Sequence, residues 1–331
     1  MDAFRPQLVT VFGGTGFIGR YVVQALAKHG YRIRIATRRP QTAYHLQTAG
    51  MYGQLHAVQA NLRVPWSVEA AVNGADHVVN LVGILAPSGK QTFDAVQHRG
   101  AATVADAAAK AGAGLTHVSA IGADANSDSA YARTKGLAER HVHEAVPTAN
   151  IMRPSIVFGP EDQFFNRFGR MAQLSPVLPL IGGGKTRFQP VYAGDVGEAV
   201  LMSVQGRTRP GAVYELGGPE VATFRECMEE LLRAIERRRL LLPVPFWMAR
   251  AMASVAQFLP GSPLTPDQVK LLRSDNVVSA RAAEEGRTLK GLGIEPAAMV
   301  AVIPTYLVRF RPRGQYRPAH GMDRSEAENG L

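Results

Sequence analysis

The sequence contains 331 residues, of which 46% are hydrophobic and one, Cys227, is a cysteine. This length suffices for one large α/β domain with a smaller lobe, and no apolar run approaches the length of a membrane span. A single cysteine excludes an internal disulfide and favours a reducing compartment. Because the N-terminal MDAFRPQ has no apolar signal core, we expect a cytoplasmic bacterial protein or an already processed chain.

The net charge of +10 is concentrated in two places, with arginines crowded at residues 233–239 and again at residues 309–324. Basic patches attract anionic partners, which include a phosphate-bearing cofactor, an acidic protein surface, an anionic membrane or nucleic acid. No signature of a nucleic-acid-binding module accompanies the charge, so we expect no nucleic-acid partner.

A glycine-rich stretch, LVTVFGGTGFIG at residues 8–19, organises the chain. An apolar, β-branched run predicts a buried strand, the glycines predict a tight turn, and the helical spacing after them extends to Gly30. Strand, turn and helix in this order are typical of a dinucleotide-binding unit, in which the helix N-terminus binds the pyrophosphate. The residues predicted to surround it are Gly13, Gly14, Thr15, Gly16, Phe17, Ile18 and Gly19.

The end of the second predicted strand indicates the cofactor. NAD-binding proteins usually place a carboxylate there for the ribose 2′-hydroxyl, but this chain has Thr37, Arg38, Arg39 and Pro40. Two guanidinium groups suit a 2′-phosphate, so the sequence favours NADPH (NADP) over NAD. The alternative is a pair of solvated arginines in a loop.

Strands alternating with helices predict an α/β fold with a Rossmann doubly wound parallel sheet and a smaller, mostly helical C-terminal lobe. We place the nucleotide-binding core at residues 1–160 with returning segments near 187–216, and the smaller lobe at 161–186 and 217–308. Within the core, residues 77–83 predict a strand and residues 93–112 a long helix. Ligands bind beyond the carboxyl ends of such strands, so the predicted walls of the adenosine site are Asn61, Leu62, Leu81, Val82 and Gly83.

Tyr131 and Lys135 lie four residues apart in a helical context and therefore share one face. This spacing predicts that the ammonium group lowers the pKa of the phenol, which would make Tyr131 an acid or base beside a nicotinamide. The alternative is an ordinary pair on a helix surface. His141 and His143 are two apart and point to different faces, so we predict no metal site.

Together, the GGTGFIG turn, the Tyr131-x-x-x-Lys135 pair and RPSIVFGP at residues 153–160 resemble the extended and atypical short-chain dehydrogenase/reductases. Residues 8–278 are most similar to the NADPH-binding accessory subunits of respiratory complex I, the NADH:quinone oxidoreductase. That resemblance implies a tightly held NADPH that stabilises the fold without turnover. It also places three further residues beside the nicotinamide, namely Pro154, Ser155 and Ile156.

The same resemblance implies partners and a location. The partners are complex I subunits at the membrane-proximal side, and the chain would lie peripherally on the cytoplasmic face of a bacterial inner membrane or on the mitochondrial matrix side.

The chain departs from active enzymes of this family at the chemical site. They add a Ser or Thr hydroxyl after the fifth strand, where the matching position here is Ala120 or Ile121, preceded by Ser119. An alanine would remove a donor to the developing oxyanion, at a cost of a few kcal/mol. Gln97 replaces an asparagine of the family pattern. The alternative remains an active reductase, dehydratase or epimerase using Tyr131, Lys135 and Ser119 on a small carbonyl or sugar nucleotide; a redox-sensing module is a third possibility.

Two C-terminal segments leave a choice between a structural and a binding role. Residues 243–259 are apolar and carry Trp247, which indicates either lobe core or an exposed face that docks on a membrane or partner. Residues 309–331 are basic and without periodicity, which predicts a disordered tail or a strap over an acidic partner.

Overall fold

A computed structural model describes residues 7–256 and 264–314. Most of the predicted basic tail, part of the apolar stretch at 243–259 and the first six residues lie outside the described residues.

Thirteen strands occur in the described chain. In order they are β1 Leu8–Phe12, β2 Arg32–Thr37, β3 Leu55–Gln59, β4 His77–Asn80, β5 Gly114–Val118, β6 Asn150–Pro154, β7 Val157–Phe158, β8 Val177–Ile181, β9 Arg187–Phe188, β10 Val191–Tyr192, β11 Val213–Leu216, β12 Ala222–Thr223 and β13 Leu240–Val244.

Eleven α-helices occur in the same described ranges. They are α1 Phe17–Lys28, α2 Pro65–Val72, α3 Arg99–Ala111, α4 Ala130–Ala145, α5 Phe165–Leu174, α6 Ala193–Val204, α7 Phe224–Ala234, α8 Phe246–Ala256, α9 Pro266–Leu271, α10 Ala280–Glu284 and α11 Met299–Tyr306.

Seven strands form one sheet in the order β11-β6-β5-β4-β1-β2-β3, and every neighbouring pair is parallel. β1 is fully buried because helices cover both faces of the sheet, as its largely apolar and β-branched sequence predicts. The strand order reverses between β1 and β4, where Phe12 aligns with Asn80. The predicted Rossmann α/β fold is therefore confirmed, and its switch point lies directly beyond β1.

Two predicted elements are shorter than expected. The strand predicted at 77–83 ends at Asn80, whose Oδ1 accepts a hydrogen bond from the Val82 N–H and turns the chain out of the sheet. The helix predicted over 93–112 starts with a π-helical turn, Asp94–His98, before α3 begins. The extra residue turns Gln97 inward, where its Nε2 donates to the Ile84 carbonyl, and π turns of this kind often lie beside functional sites.

The smaller lobe has its own apolar core, formed by aromatic and aliphatic side chains of α5, α7 and α11 together with β8. In the returning region, β11 joins the large sheet beside β6, whereas β9 and β10 pair with β12 and β7. Residues 306–311 run back over the lobe, where Tyr306 Oη donates to Asp162 Oδ2 at 2.6 Å and Arg311 Nε donates to the Ala234 carbonyl.

Candidate dinucleotide-binding site

The phosphate turn starts immediately after β1. Gly13 has a φ of +80°, which favours glycine, and its carbonyl accepts a hydrogen bond from the Gly16 N–H at 3.0 Å. A Cβ added at Gly13 would lie 3.2 Å from the Leu81 carbonyl carbon, so the turn packs closely on the chain leaving β4. Gly16, at the end of this turn, is exposed.

The N-terminus of α1 fits a pyrophosphate. Gly16 occupies the N-cap position without a side-chain cap, and the first turn contains no acidic residue. Its N–H groups and the positive end of the helix dipole are therefore available to an anion. A Cβ at Gly19 would lie only 2.2 Å from the Gly13 carbonyl oxygen, so glycine is required where helix and turn cross. Thr15 and Ile18 are half-buried beside this crossing.

Arg38 and Arg39 follow β2 and are both exposed. Neither guanidinium group forms an ion pair with any residue in the described ranges, although the Arg39 backbone N–H donates weakly to Thr37 Oγ1 at 3.4 Å. The loop carries two free cations and no carboxylate at the edge where a ribose 2′-substituent would lie.

The predicted adenosine walls lie at the carboxyl ends of β3 and β4. Leu62 is buried against Gly100, and Asn61 Oδ1 accepts a hydrogen bond from the Arg63 N–H at 3.1 Å. The Leu81 N–H donates to the Phe12 carbonyl, which continues the β1 ladder by one residue. A Cβ at Gly83 would approach Lys135 Nζ at 3.5 Å, so residues 81–83 connect the glycine turn to α4.

Lys135 is buried, with 4% of its surface exposed, and Tyr131, one helical turn earlier, is half-buried. Burial raises the pKa of Tyr131 to about 12 and lowers the pKa of Lys135 to about 8. Lys135 Nζ donates to the Val118 carbonyl at 2.9 Å, and the Tyr131 ring meets Phe93 edge-on with the centroids 5.9 Å apart. The prediction that Lys135 lowers the phenol pKa is wrong, because burial dominates and the ammonium group is directed to β5.

Ser119 directly follows β5, with its side chain inside the protein and only 4% of its surface exposed. Its Oγ has no hydrogen-bond partner among the described residues, while its N–H donates to the Met152 carbonyl at 2.7 Å. Ala120, which follows, is half-buried. A buried hydroxyl without a partner is costly, so the Ser119 Oγ would gain from an oxygen of a bound ribose or carbonyl.

In the loop after β6, the Ser155 side chain forms its hydrogen bonds with other residues of the protein. Ser155 Oγ lies 2.8 Å from the Asn276 carbonyl oxygen and 2.7 Å from Asn276 Oδ1, and it accepts a hydrogen bond from the Gln189 N–H. Pro154 is buried at the end of β6, and Ile156 is half-buried with its carbonyl accepting the Val191 N–H. The hydroxyl predicted to face the cofactor thus anchors a C-terminal residue.

Two residues at this edge were missed by sequence reasoning. Asp267 accepts hydrogen bonds from the first turn of α4, and Asn276 links Ser155 to the Ile121 carbonyl. Thr265 and Gln268 form a capping box that could have predicted the start of α9. No local signal connects either Asp267 or Asn276 to partners more than 110 residues earlier in the sequence.

The residues present fit a dinucleotide. An uncapped helix N-terminus, a turn that excludes side chains, two free arginines and an unpartnered buried hydroxyl all lie along the carboxyl edge of the sheet. Within the described ranges, no group of three or more His, Cys, Asp and Glu side chains is arranged to hold a metal ion. The geometry defines a nucleotide-binding Rossmann protein.

The comparison with protein families agrees with this geometry. Residues 9–217 match the NAD dependent epimerase/dehydratase family, and the chain belongs to that family. The resemblance to extended short-chain dehydrogenase/reductases is confirmed, as is the expectation of an NAD(P)-binding class of fold.

Relatives named as mitochondrial NADH dehydrogenase or NADH-ubiquinone oxidoreductase subunits match over nearly the whole chain. The chain is 33% identical over 320 residues to the Arabidopsis thaliana protein named NADH dehydrogenase (ubiquinone) 1 alpha subcomplex subunit 9, mitochondrial, covering 93% of this chain and 79% of that one. It is 32% identical to the NADH-ubiquinone oxidoreductase 40 kDa subunit, mitochondrial, of Neurospora crassa, covering 96% of this chain and 84% of that one. The resemblance to this subgroup is also confirmed.

Among solved structures, an NADPH-dependent quinone oxidoreductase of Escherichia coli complexed with NADPH shares the fold. It superimposes with a TM-score of 0.71 at 17% identity, covering 90% of this chain and 99% of that one.

Proposed function

We propose that this protein is an NADP(H)-binding accessory subunit of respiratory complex I, in which the cofactor stabilises the fold and is not turned over. The observation that carries the proposal is the similarity to complex I subunits along 93% and 96% of the chain, far beyond the nucleotide-binding part alone. The smaller lobe, which a shared cofactor would not require, is included in that similarity.

In this proposal, one set of residues holds each part of the cofactor. The glycine turn and the start of α1 bind the pyrophosphate, Arg38 and Arg39 bind the 2′-phosphate, and Tyr131 with Lys135 binds the nicotinamide ribose. NADPH is favoured over NAD because the loop after β2 offers two free cations to a phosphate and no carboxylate to a 2′-hydroxyl. When bound, NADP(H) would supply the hydride-transfer chemistry of short-chain dehydrogenase/reductases. In the proposed complex I subunit, that chemistry is not used.

Three features support storage of the cofactor without turnover. Burial raises the pKa of the Tyr131 phenol from 10.0 to about 12, further from neutral pH, which makes it a poorer acid or base for turnover. Ala120 offers no hydroxyl, and the Ser155 hydroxyl is occupied by Asn276. The rival function, an active reductase or epimerase, is favoured by one observation, the unpartnered Ser119 Oγ in a buried site.

We also propose that the smaller lobe faces an anionic membrane, with the chain bound peripherally at the inner membrane of a bacterium or on the mitochondrial matrix side. No helix in the described ranges is both long enough and apolar enough to span a bilayer. α8 exposes Trp247 by 73% and Val255 by 74%, while it buries Ala249 and Ala253. Residues 237–266 contain four arginines and no acidic residue, which suits an anionic lipid surface.

The assembly is tested by gentle extraction of membranes from the native source, native-gel separation, and mass spectrometry of the band with its nucleotide. We expect the chain among complex I subunits with NADPH bound. A chain found alone in the soluble fraction contradicts the proposal. NADPH oxidation by a carbonyl or sugar nucleotide, lost in Tyr131→Phe, would instead establish the rival enzyme.

The membrane proposal is tested with lipid vesicles. The two tryptophans of the chain are similarly exposed, so Trp66 serves as the control for Trp247. Trp66 lies on α2 and is 74% exposed. We expect Trp247→Ser to weaken binding to phosphatidylglycerol vesicles about tenfold, from the lost burial of one large aromatic side chain, and Trp66→Ser to leave it unchanged. Equal flotation of both variants, or no flotation of the unaltered protein, excludes this surface.

A further inference from the structure

The C-terminal lobe contributes a carboxylate to the helix that carries Tyr131 and Lys135. Asp267 Oδ1 accepts a hydrogen bond from the Ala130 N–H at 2.8 Å, and its Oδ2 accepts from the Tyr131 N–H at 3.1 Å and from Ser129 Oγ at 2.9 Å. Ser129 alone caps only the Ala132 N–H, at 3.3 Å. Asp267 therefore satisfies the two N–H groups at the start of α4 that would otherwise have no partner.

The contacts around Asp267 extend over the same edge of the sheet. We call residues 264–278 the clamp segment. Lys270 Nζ donates to the Asp128 carbonyl at 3.1 Å, and Asn276 Nδ2 donates to the Ile121 carbonyl at 3.1 Å. Asn276 also holds Ser155, in the loop after β6. The clamp segment thus fastens to the loops that follow β5 and β6, where the nicotinamide half of a dinucleotide lies in this fold.

We infer that Asp267 is a positioning residue for the nicotinamide end of the cofactor, and that through it the docking of the clamp segment and the binding of NADP(H) strengthen each other. The inference rests on the cofactor part of the proposed function. Asp267 does not touch the cofactor; it fixes the first turn of α4, and the side chains of Tyr131 and Lys135 leave that turn and the next.

Two physical effects make a carboxylate effective here. A negative charge at a helix N-terminus interacts favourably with the helix dipole, and its oxygens accept from N–H groups that the helix cannot pair internally. An unfastened first turn frays, so Tyr131 would lose its orientation toward the ribose. Because coupling between two binding events is reciprocal, a cofactor that holds α4 in place must also hold the clamp segment in place.

The experiment measures NADPH release by stopped-flow fluorescence from the full-length protein and two variants. We expect Asp267→Ala to accelerate release about tenfold, the effect of losing a helix cap. Asp267→Asn should accelerate it less, because the amide oxygen still accepts one hydrogen bond. The control is Glu285→Ala, which removes a carboxylate of the same lobe that lies outside the clamp segment and pairs with Arg281 and Arg287. Its release rate should match that of the unaltered protein.

Hydrogen exchange of the unaltered protein gives a second measurement that needs no variant. NADPH should slow exchange of the amides at residues 264–278 several-fold, in step with those at the start of α4. The inference is overturned if NADPH binds and neither Asp267 substitution changes its release rate. It is also overturned if NADPH binding does not change the amide exchange rates of the clamp segment. If the unaltered protein binds no NADPH, the proposed cofactor role itself is contradicted. This outcome differs from NADPH binding without coupling to the clamp segment, which contradicts only the inference about Asp267.

Discussion

The two ends of the candidate cofactor site are built in opposite ways. The phosphate end comes from one contiguous stretch, in which β1, the glycine turn and the start of α1 contact one another within 12 residues. The nicotinamide end is assembled from the ends of β5 and β6, the first two turns of α4 and the clamp segment. The first needs only local geometry, whereas the second needs the smaller lobe in its docked position. We therefore expect that mutations at the phosphate end and at the nicotinamide end affect NADP(H) binding and NADPH release separately.

The largest expected effect is at the phosphate end, in Gly19→Ala. The added methyl group would lie 2.2 Å from the Gly13 carbonyl oxygen and 2.7 Å from Gly14, so the turn must move away from α1. We expect NADP(H) affinity to fall by at least about a hundredfold, and the free energy of unfolding to fall by about 1–3 kcal/mol from overpacking. Isothermal titration and chemical denaturation measure the two effects.

A matched glycine separates these two effects. Gly112 caps the C-terminus of α3 with a φ of +66°, and a Cβ added there would meet no atom within 4 Å. Gly112→Ala should cost about 1 kcal/mol of stability through backbone strain and leave cofactor affinity unchanged. Unaltered NADP(H) binding by Gly19→Ala would show that the glycine turn is not the phosphate site.

The difference between the ends also explains what could be predicted from the sequence. The turn was predictable because its determinants are local: a buried apolar strand, glycines where side chains would collide, and helical spacing after them. The direction of the Lys135 side chain was not. A four-residue spacing places it on the same helix face as Tyr131. The burial of Lys135, which lowers its pKa, depends on how α4 packs against β5, where Lys135 Nζ donates to the Val118 carbonyl.

Contacts distant in sequence were beyond such reasoning. Asp267 reaches the start of α4 across 137 residues, and Asn276 reaches Ser155 across 121. Both residues lie in the clamp segment, whose local sequence predicts only a turn and a short helix. Their partners follow from how the lobe packs on the sheet, which no local periodicity encodes.

The nicotinamide end can be probed through its buried ammonium group. The pKa of Lys135 is lowered by burial from 10.5 to about 8, so between these values the unfolded chain binds more protons than the folded protein. The free energy of unfolding of the nucleotide-free protein should therefore rise with pH through this window, with Lys135 contributing about 3 kcal/mol. Below pH 8 the lysine is protonated in both states and its contribution is constant.

The matched variant is Lys135→Met, which fills similar space and does not titrate. Denaturation at intervals from pH 7.5 to 10.5 should show the rise in the unaltered protein relative to the variant. Tyrosine ionisation affects both proteins alike and cancels in the difference. Parallel curves for the two proteins would mean that Lys135 is hydrated in solution, which would contradict its burial.

The smallest expected effect concerns Arg38 and Arg39, because exposed charges are screened by water and salt. The double substitution Arg38→Ala with Arg39→Ala should lower the preference for NADPH over NADH about tenfold, mostly by weakening NADPH binding. Arg32→Ala is the control, since that exposed arginine lies at the opposite end of β2. Higher salt should reduce the NADPH preference of the unaltered protein and leave that of the double variant nearly constant. If the double variant keeps the original selectivity at low salt, the 2′-phosphate is not bound by this loop, and the cofactor specificity must come from the more distant walls of the site.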